Sequence, residues 1–209
     1  VKTARTVAKR NGGTGFMVER GARLTATETD SIENAENGVG LAGAGSQASW
    51  QDGVIRGNGV LFTGGIARDS GKGQGIGVSV VEGAGFSATK TVISDNWRHG
   101  GLMEEKPGSG GVLAGCMVSK NAMGGFVADG LPETALRIEG GEVSGNQQAG
   151  LTFVGKGFRP VLKAVRVFGN APGLVVMDKA EPQIEGCTIE KNGAQDIDQA
   201  GAGPGMVVK

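Results

Sequence analysis

The chain has 209 residues, of which 41 are glycine, and its 21 Lys and Arg residues balance 21 Asp and Glu residues. This balance disfavours a nucleic-acid-binding protein, which carries a basic face, and a strongly charged tail. No run of roughly 18 apolar residues exists, so no membrane-spanning segment is predicted. The glycines follow no Gly-X-Y period and Val, Ile and Leu recur in a pattern, which excludes collagen and disfavours disorder.

An asparagine recurs along the whole chain, usually three residues after an apolar residue. Its successive intervals are 23, 24, 38, 25, 25, 24 and 22 residues. We interpret the 38-residue interval as one ordinary repeat that carries an insertion at about residues 59–74. Near Asn34 the apolar residue is Ile32, one residue closer than elsewhere. The repeated residues are Asn11, Asn34, Asn58, Asn96, Asn121, Asn146, Asn170 and Asn192.

Each repeat also contains an apolar segment before the Asn and a glycine followed by an apolar residue after it. Three short apolar segments in roughly 24 residues predict a coil with three strands, because helices need longer periodic runs. Coils of this kind share one core when they stack. The glycine markers are Gly15-Phe16, Gly38-Val39, Gly75-Ile76, Gly101-Leu102, Gly125-Phe126, Gly150-Leu151, Gly173-Leu174 and Gly205-Met206.

The repeat resembles that of the right-handed parallel β-helix family, which includes the pectate-lyase-like proteins, from Val1 to about Asn192. The resemblance implies an all-β solenoid of about eight coils with an asparagine ladder. We expect a single domain over residues 1–209. Because the sequence starts at a strand and stops in mid-coil, we expect it to be part of a larger protein or to be capped by neighbouring domains.

Alignment on the asparagines assigns structural roles to several other residues. Amide side chains at the same turn can hydrogen-bond from coil to coil, so we interpret the asparagines as structural. The alignment places Trp50 between Ala26 and Ala88, which predicts a core position. Cys116 and Cys187 share one corner three coils apart, about 14 Å. That separation exceeds the ~7 Å limit for a disulfide, so two free and mostly buried thiols are predicted.

The insertion and the turn after Asn96 concentrate reactive side chains. An exposed tryptophan beside polar groups can stack on a sugar ring. Asp52 and Lys90 each lie six residues before an asparagine on adjacent coils, so we expect them to pair. The predicted ligand-binding residues are Arg68, Asp69, Trp97, Arg98, His99 and Glu104, with Glu105 and Lys106 next to them in sequence.

An apolar row four residues before the asparagines is expected to face outward, where it would leave an exposed stripe. We expect the insertion to fold over this stripe through its own apolar residues at 60–62 and 66. The stripe consists of Val7, Val54, Val92 and Met117.

Two classes of function stay open. The first is a non-catalytic binding or scaffold module, secreted or at a cell surface, that contacts polysaccharide or neighbouring domains. The second is a lyase, epimerase or hydrolase acting on an acidic polysaccharide, with Asp52, Asp95, Arg98 and His99 as catalytic candidates and calcium needed only by a lyase. We favour the first, because only His99-Gly100-Gly101 faintly resembles a motif of the family's pectin hydrolases.

Carboxylates clustered with a Lys or Arg would favour the enzyme, whereas a flat face of Ser, Thr and Gly would favour the scaffold. One histidine, two separated cysteines and no acidic run predict no metal site. No other cofactor is expected.

Overall fold

Parallel strand pairing between successive coils builds the whole solenoid. The structure, a computed structural model, describes the backbone of residues 1–63, 66–69, 75–104 and 106–209, and the side chains of 1–60, 75–104 and 106–209. These residues form strands and turns without a helix, and no described segment has the helical length and hydropathy for a membrane crossing. The right-handed parallel β-helix of about eight coils that the repeat predicts is confirmed.

Each coil contributes one strand to each of three sheets, and a coil takes its number from its strand in sheet A. Sheet A contains Lys2–Ala4, Arg23–Thr27, Gln47–Gln51, Gly85–Thr89, Gly110–Ala114, Ala135–Glu139, Val161–Lys163, Gln183–Glu185 and Val207–Val208. Sheet B contains Val7–Lys9, Asp30–Ile32, Val54–Arg56, Val92–Ser94, Met117–Ser119, Glu142–Ser144, Arg166–Phe168 and Thr188–Ile189. Sheet C contains Phe16–Glu19, Val39–Ala42, Val78–Val81, Gly101–Met103, Phe126–Asp129, Leu151–Val154, Leu174–Val176 and Ile197–Asp198.

The 38-residue interval forms a single coil, because the Asn58 amide donates directly to Asn96 at 2.9 Å. The additional residues include an antiparallel hairpin of Val60–Thr63 and Ile66–Asp69. The predicted cover of the apolar stripe by this insertion concerns side chains outside the described ones. In the stripe itself, Val7 and Met117 are 57% and 45% exposed, as the outward position predicts.

The core is aliphatic except where the stacks make room for rings. Trp50 is fully buried between Ala26 and Ala88, which confirms the predicted stack. Its indole N–H donates to the Thr29 carbonyl at 2.9 Å, and Phe16 packs edge-on at 5.1 Å. The tryptophan side chain fits in the narrow solenoid because its neighbours in the stack are small and its indole N–H is hydrogen-bonded. Cys116 and Cys187 are free as predicted, the first buried and the second half-buried.

The asparagine ladder runs without a break through all eight coils. At a typical step, the backbone N–H and Nδ2 of Asn96 donate to Oδ1 of Asn121 at 3.1 and 3.0 Å. A second bond runs from Asn96 Nδ2 to the Ile55 carbonyl in the preceding coil. Each amide therefore connects its own coil to the coils on both sides, inside a core where an unpaired polar group is costly. The seven Nδ2–Oδ1 distances lie between 2.8 and 3.1 Å.

A glycine ladder runs beside the asparagine ladder. A Cβ added to Gly100 would lie 2.8 Å from Nδ2 of Asn121 and 2.6 Å from the Gly125 carbonyl oxygen. These glycines have no positive φ, so steric contact with the next asparagine, rather than backbone conformation, excludes a side chain. The ladder consists of Gly15, Gly38, Gly77, Gly100, Gly125, Gly150 and Gly173.

Three of the glycines that the sequence marks as repeat positions are therefore wrong by one residue or more. In coils three and four the ladder positions are Gly77 and Gly100 rather than Gly75 and Gly101. In the last coil Asp196 takes the position, and Gly205-Met206 instead leads into sheet A. The Asp196 carboxylate accepts from both the backbone and the side-chain nitrogen of Asn192, the bonds that the next ladder asparagine accepts elsewhere.

In the coil of Asn34, the inward position three residues before the asparagine is held by Ser31 and not by the apolar Ile32. Ser31 is the fully buried residue, and Ile32 is only half-buried. The Ser31 hydroxyl donates to the Gly38 carbonyl at 2.7 Å and accepts from Asn34 Nδ2 at 3.1 Å. A polar side chain holds the inward position because both of its hydrogen-bonding functions are satisfied.

Replacing a ladder glycine tests the steric coupling of the two ladders. We expect Gly100→Ala to lower the free energy of unfolding by about 2–4 kcal/mol, since the new methyl group overlaps the next coil. Gly12→Ala is the matched control, because an added Cβ there meets nothing within 4 Å. Its effect is expected within about 0.5 kcal/mol. Urea unfolding followed by circular dichroism measures both, and equal effects would contradict the steric argument.

Candidate functional site

The turn after the fourth ladder asparagine gathers three of the predicted ligand-binding residues. Trp97, Arg98 and His99 lie there in sequence, between sheets B and C. Trp97 is 46% exposed. A Cβ added to Gly59 would lie 2.8 Å from the Cβ of Trp97, and one added to Gly75 would lie 3.0 Å from it. Both glycines also have positive φ, so only glycine fits at these two positions, where the hairpin joins the coil. We call the pair Gly59 and Gly75 the glycine neck, and the Cβ of Trp97 in the next coil packs against it.

His99 is fixed in the turn by its imidazole. Its Nδ1 accepts the backbone N–H of Gly124 in the next coil at 3.1 Å, which assigns the ring proton to Nε2. Burial lowers the pKa of His99 below 6.5, and the neighbouring Arg98 cation lowers it further. The neutral ring therefore acts as a hydrogen-bond acceptor between coils.

The remaining catalytic candidates do not converge on this turn. Asp95 lies at its start and accepts the Ser94 hydroxyl at 2.7 Å. Asp52 lies at the corner between sheets A and B, with a sheet B strand between this corner and that of Asp95, and accepts from Gln51 at 3.0 Å. Glu104 is exposed at the far end of its sheet C strand. Asp95 thus shares a turn with Arg98 and His99, whereas Asp52 and Glu104 occupy other corners.

The predicted pairing of Asp52 with Lys90 is wrong. Both occupy the same corner in adjacent coils, but no ion pair joins them among the described residues, where Asp52 instead bonds to Gln51. Arg68 and Asp69 belong to the hairpin, and their side chains lie outside the described part of the structure. Glu105 lies outside the described residues altogether.

The outer surface of sheet A carries a shallow groove of about 530 Å³. It crosses coils two to five and ends on Glu133, Ala135 and Arg137 of coil six. We call the outer surface of sheet A in coils two to five the sheet A face. The groove forms because Gly85 and Gly110 lack side chains in a row where neighbouring coils carry Gln47 and Ala135. Its outward rows are Arg23, Gln47, Gly85 and Gly110; Thr25, Ser49, Ser87 and Val112; and Thr27, Gln51, Thr89 and Ala114.

The hydroxyls in the central row of the sheet A face point to solvent with their hydrogen-bonding capacity unused by the protein. Thr25, Ser49 and Ser87 are exposed in one row, and within the described residues no protein group bonds to their hydroxyls. Elsewhere, buried hydroxyls such as those of Thr29 and Ser46 bond to carbonyls of the chain. The exposed row repeats at the coil spacing of about 4.8 Å, so it presents a regular series of donors and acceptors.

The prediction of ligand-binding residues from sequence missed this row. The signal was present, because Thr25, Ser49 and Ser87 each lie nine residues before a ladder asparagine. Single hydroxyl residues separated by a full coil are inconspicuous without that alignment. A cluster of charged residues within one short segment is easier to notice, which drew attention to the turn after Asn96.

Few of the residues that line the groove carry a charge. Glu133 is the one carboxylate among the described residues that line the groove. Glycoside hydrolysis uses two carboxyl groups about 5–9.5 Å apart, so its second group is missing there. Arg137 lines the far end and is already paired with Glu139, which accepts its Nε at 2.9 Å.

Comparison with known proteins gives one structural match. No protein-family model matches the sequence, and no curated protein matches it. The crystal structure of pectate lyase Pel9A superposes on 90% of this chain with a TM-score of 0.54 at 11% identity. The chain has the parallel β-helix fold. It spans 55% of the length of that structure, and at this identity the likeness concerns the fold alone.

Protonation of His99 is expected to destabilise the fold. Its folded-state pKa lies below the unfolded value, so the unfolded chain binds more protons as the pH falls below about 6.5. The stability that neutral His99 contributes is complete above that pH and is lost as the pH falls towards the folded-state pKa. We expect the free energy of unfolding to drop between about pH 7.5 and pH 5.5.

The measurement is urea unfolding at both pH values for the wild type and for His99→Gln. The glutamine carbonyl accepts a hydrogen bond but does not titrate, so the variant should show a smaller drop. An equal drop in the two proteins would remove His99 as the cause.

Proposed function

We propose that this chain is a non-catalytic binding or scaffold module that contacts polysaccharide through the sheet A face. The observation that carries the proposal is the open groove with its exposed row of Thr25, Ser49 and Ser87. A groove that crosses several coils suits an extended polymer better than a small molecule, which needs an enclosing pocket. Its hydroxyl and amide groups match the alternating donors and acceptors of sugar hydroxyls.

The distribution of charged groups supports binding over catalysis. Proton abstraction or general acid catalysis requires a positioned pair of groups within hydrogen-bond reach of one substrate atom. Asp52 lies a strand length from Asp95, and the His99 Nδ1 already accepts from a backbone N–H. The enzyme alternative would therefore need a substrate that spans two corners of the solenoid.

Polysaccharide is favoured as the polymer class by two considerations. The groove lacks the basic surface expected for nucleic acid. Arg23 is the one charged residue of its outward rows in coils two to five, and Arg137 at its coil-six end is bonded to Glu139. The structurally similar protein is named as a pectate lyase, which supports a polysaccharide ligand on a β-helix. We further propose that the module acts outside the cell or at its surface, where such polymers occur, alone or beside other domains.

The affinity of one groove should be modest. No exposed aromatic ring lines it among the described residues, and Phe86 is buried beneath it. Open, aromatic-free sites lose much of their contact energy to ordering and desolvation, so we expect a Kd of about 0.1–1 mM.

A glycan array followed by calorimetry tests the proposal. Binding to at least one polysaccharide is expected, with at least tenfold weaker binding by the triple variant Thr25→Ala, Ser49→Ala, Ser87→Ala, since three hydrogen bonds are removed. The control variant Ser79→Ala, Thr152→Ala, Thr188→Ala removes hydroxyls from the other two sheets and should bind normally. Loss of binding in Trp97→Ala rather than in the sheet A variant would move the site to the turn.

A turnover assay on acidic polysaccharides, with and without calcium, tests the enzyme alternative in parallel. The proposal expects no cleavage and no unsaturated product. Turnover that Arg98→Ala or His99→Ala abolishes would establish an enzyme and overturn the proposal.

A further inference from the structure

The sheet A face is nearly free of charge in a chain where charged residues are otherwise frequent. Across its three outward rows in coils two to five, only Arg23 at one rim is charged. The corresponding rows of coils six and seven carry Arg137, Glu139 and Lys163. Hydroxyl, amide and small apolar side chains therefore occupy a continuous area between charged ends.

The charges at the coil-six end of the groove compensate one another. Arg137 donates from Nε and from a terminal nitrogen to Glu139, at 2.9 and 2.5 Å. Glu133 lines the same end of the groove. An arginine already bonded to a carboxylate is a poor anchor for a second anion, because the new carboxylate also meets the negative charges beside it.

We infer that the sheet A face selects an uncharged, hydroxyl-rich polysaccharide over an acidic one, an inference that rests on the proposed function. A carboxylate in the groove would lose part of its water shell, and the one cation of the central row, Arg137, is already bonded to Glu139. Sugar hydroxyls lose less favourable hydrogen bonding when they leave water, because Ser49 and Ser87 can both donate to them and accept from them.

The floor of the groove supports the same ligand class. Gly85 and Gly110 are half-buried and let a ring approach the strands closely. Val112, which follows Ser87 in the central row, offers an apolar contact at that depth. A sugar ring presents C–H groups on its faces and hydroxyls at its edge, so an apolar floor beside a hydroxyl row fits a neutral sugar unit.

The specificity is testable with ligands that differ only in charge. Binding of a polyuronate is compared before and after complete methyl esterification, with a neutral glucan as a third polymer. We expect the ester or the glucan to bind at least tenfold more tightly than the free acid. The affinity should stay unchanged between low and high salt, because no ion pair contributes to it.

Tighter binding of the free acid, weakening with salt, would overturn the inference and leave the proposed function standing. Binding of none of the three polymers, and of no glycan on the array, would overturn both. The two failures are thus distinguishable.

A variant with added positive charge should reverse the preference for neutral over acidic polysaccharide. This second readout does not depend on detecting weak binding of a neutral polymer. Ser49→Lys, Ser87→Lys places two cations in the central row at exposed positions. We expect this variant to bind the free acid at least tenfold more tightly than the wild type, with marked salt dependence. The matched control Ser79→Lys, Thr152→Lys adds the same charge on sheet C and should not gain that affinity. An equal gain in both variants would show that net charge, rather than the sheet A face, controls selectivity.

Discussion

The contact between each ladder asparagine and the next is the interaction on which the rest of this structure depends. One amide closes the turn of its own coil, donates to the following coil and reaches back to a carbonyl of the preceding one, as Asn96 does with Asn121 and Ile55. The same approach leaves room only for glycine at the neighbouring ladder position. Hydrogen bonding and steric exclusion thus enforce one register, and the inward strands follow from it.

Because the ladder occupies one turn of each coil, the residues on the outer surface of the solenoid take no part in it. Sheet A presents an uncharged polar groove, sheet B an apolar stripe that includes Val7 and Met117, and the turn after Asn96 a tryptophan above the glycine neck of the hairpin. Because outward residues contribute little to the core, they are free to serve recognition. This separation explains why the fold alone does not specify an activity.

The sequence was sufficient to predict the coils, the ladder, the Trp50 stack and the absence of a disulfide, since each depends on a residue type recurring at one interval. It was insufficient where a local substitution satisfied the same constraint differently. Ser31 replaces an apolar inward residue because its hydroxyl is fully bonded, and Asp196 replaces a ladder glycine while its carboxylate accepts from both nitrogens of Asn192. The sheet A face was missed because its hydroxyls are dispersed in sequence and adjacent only after stacking.

The dependence of the fold on the asparagine ladder is tested most directly by comparing the stability effects of replacing a central and a terminal ladder asparagine. Asn121→Ala leaves the Asn96 backbone N–H and Nδ2 without their acceptor in a buried site, whereas Asn11→Ala removes one donor at an exposed end. Urea unfolding should show a loss of about 3–5 kcal/mol for the central variant and about 1 kcal/mol or less for the terminal one. Similar small losses for both would show that side-chain packing, rather than the amide ladder, holds the coils together.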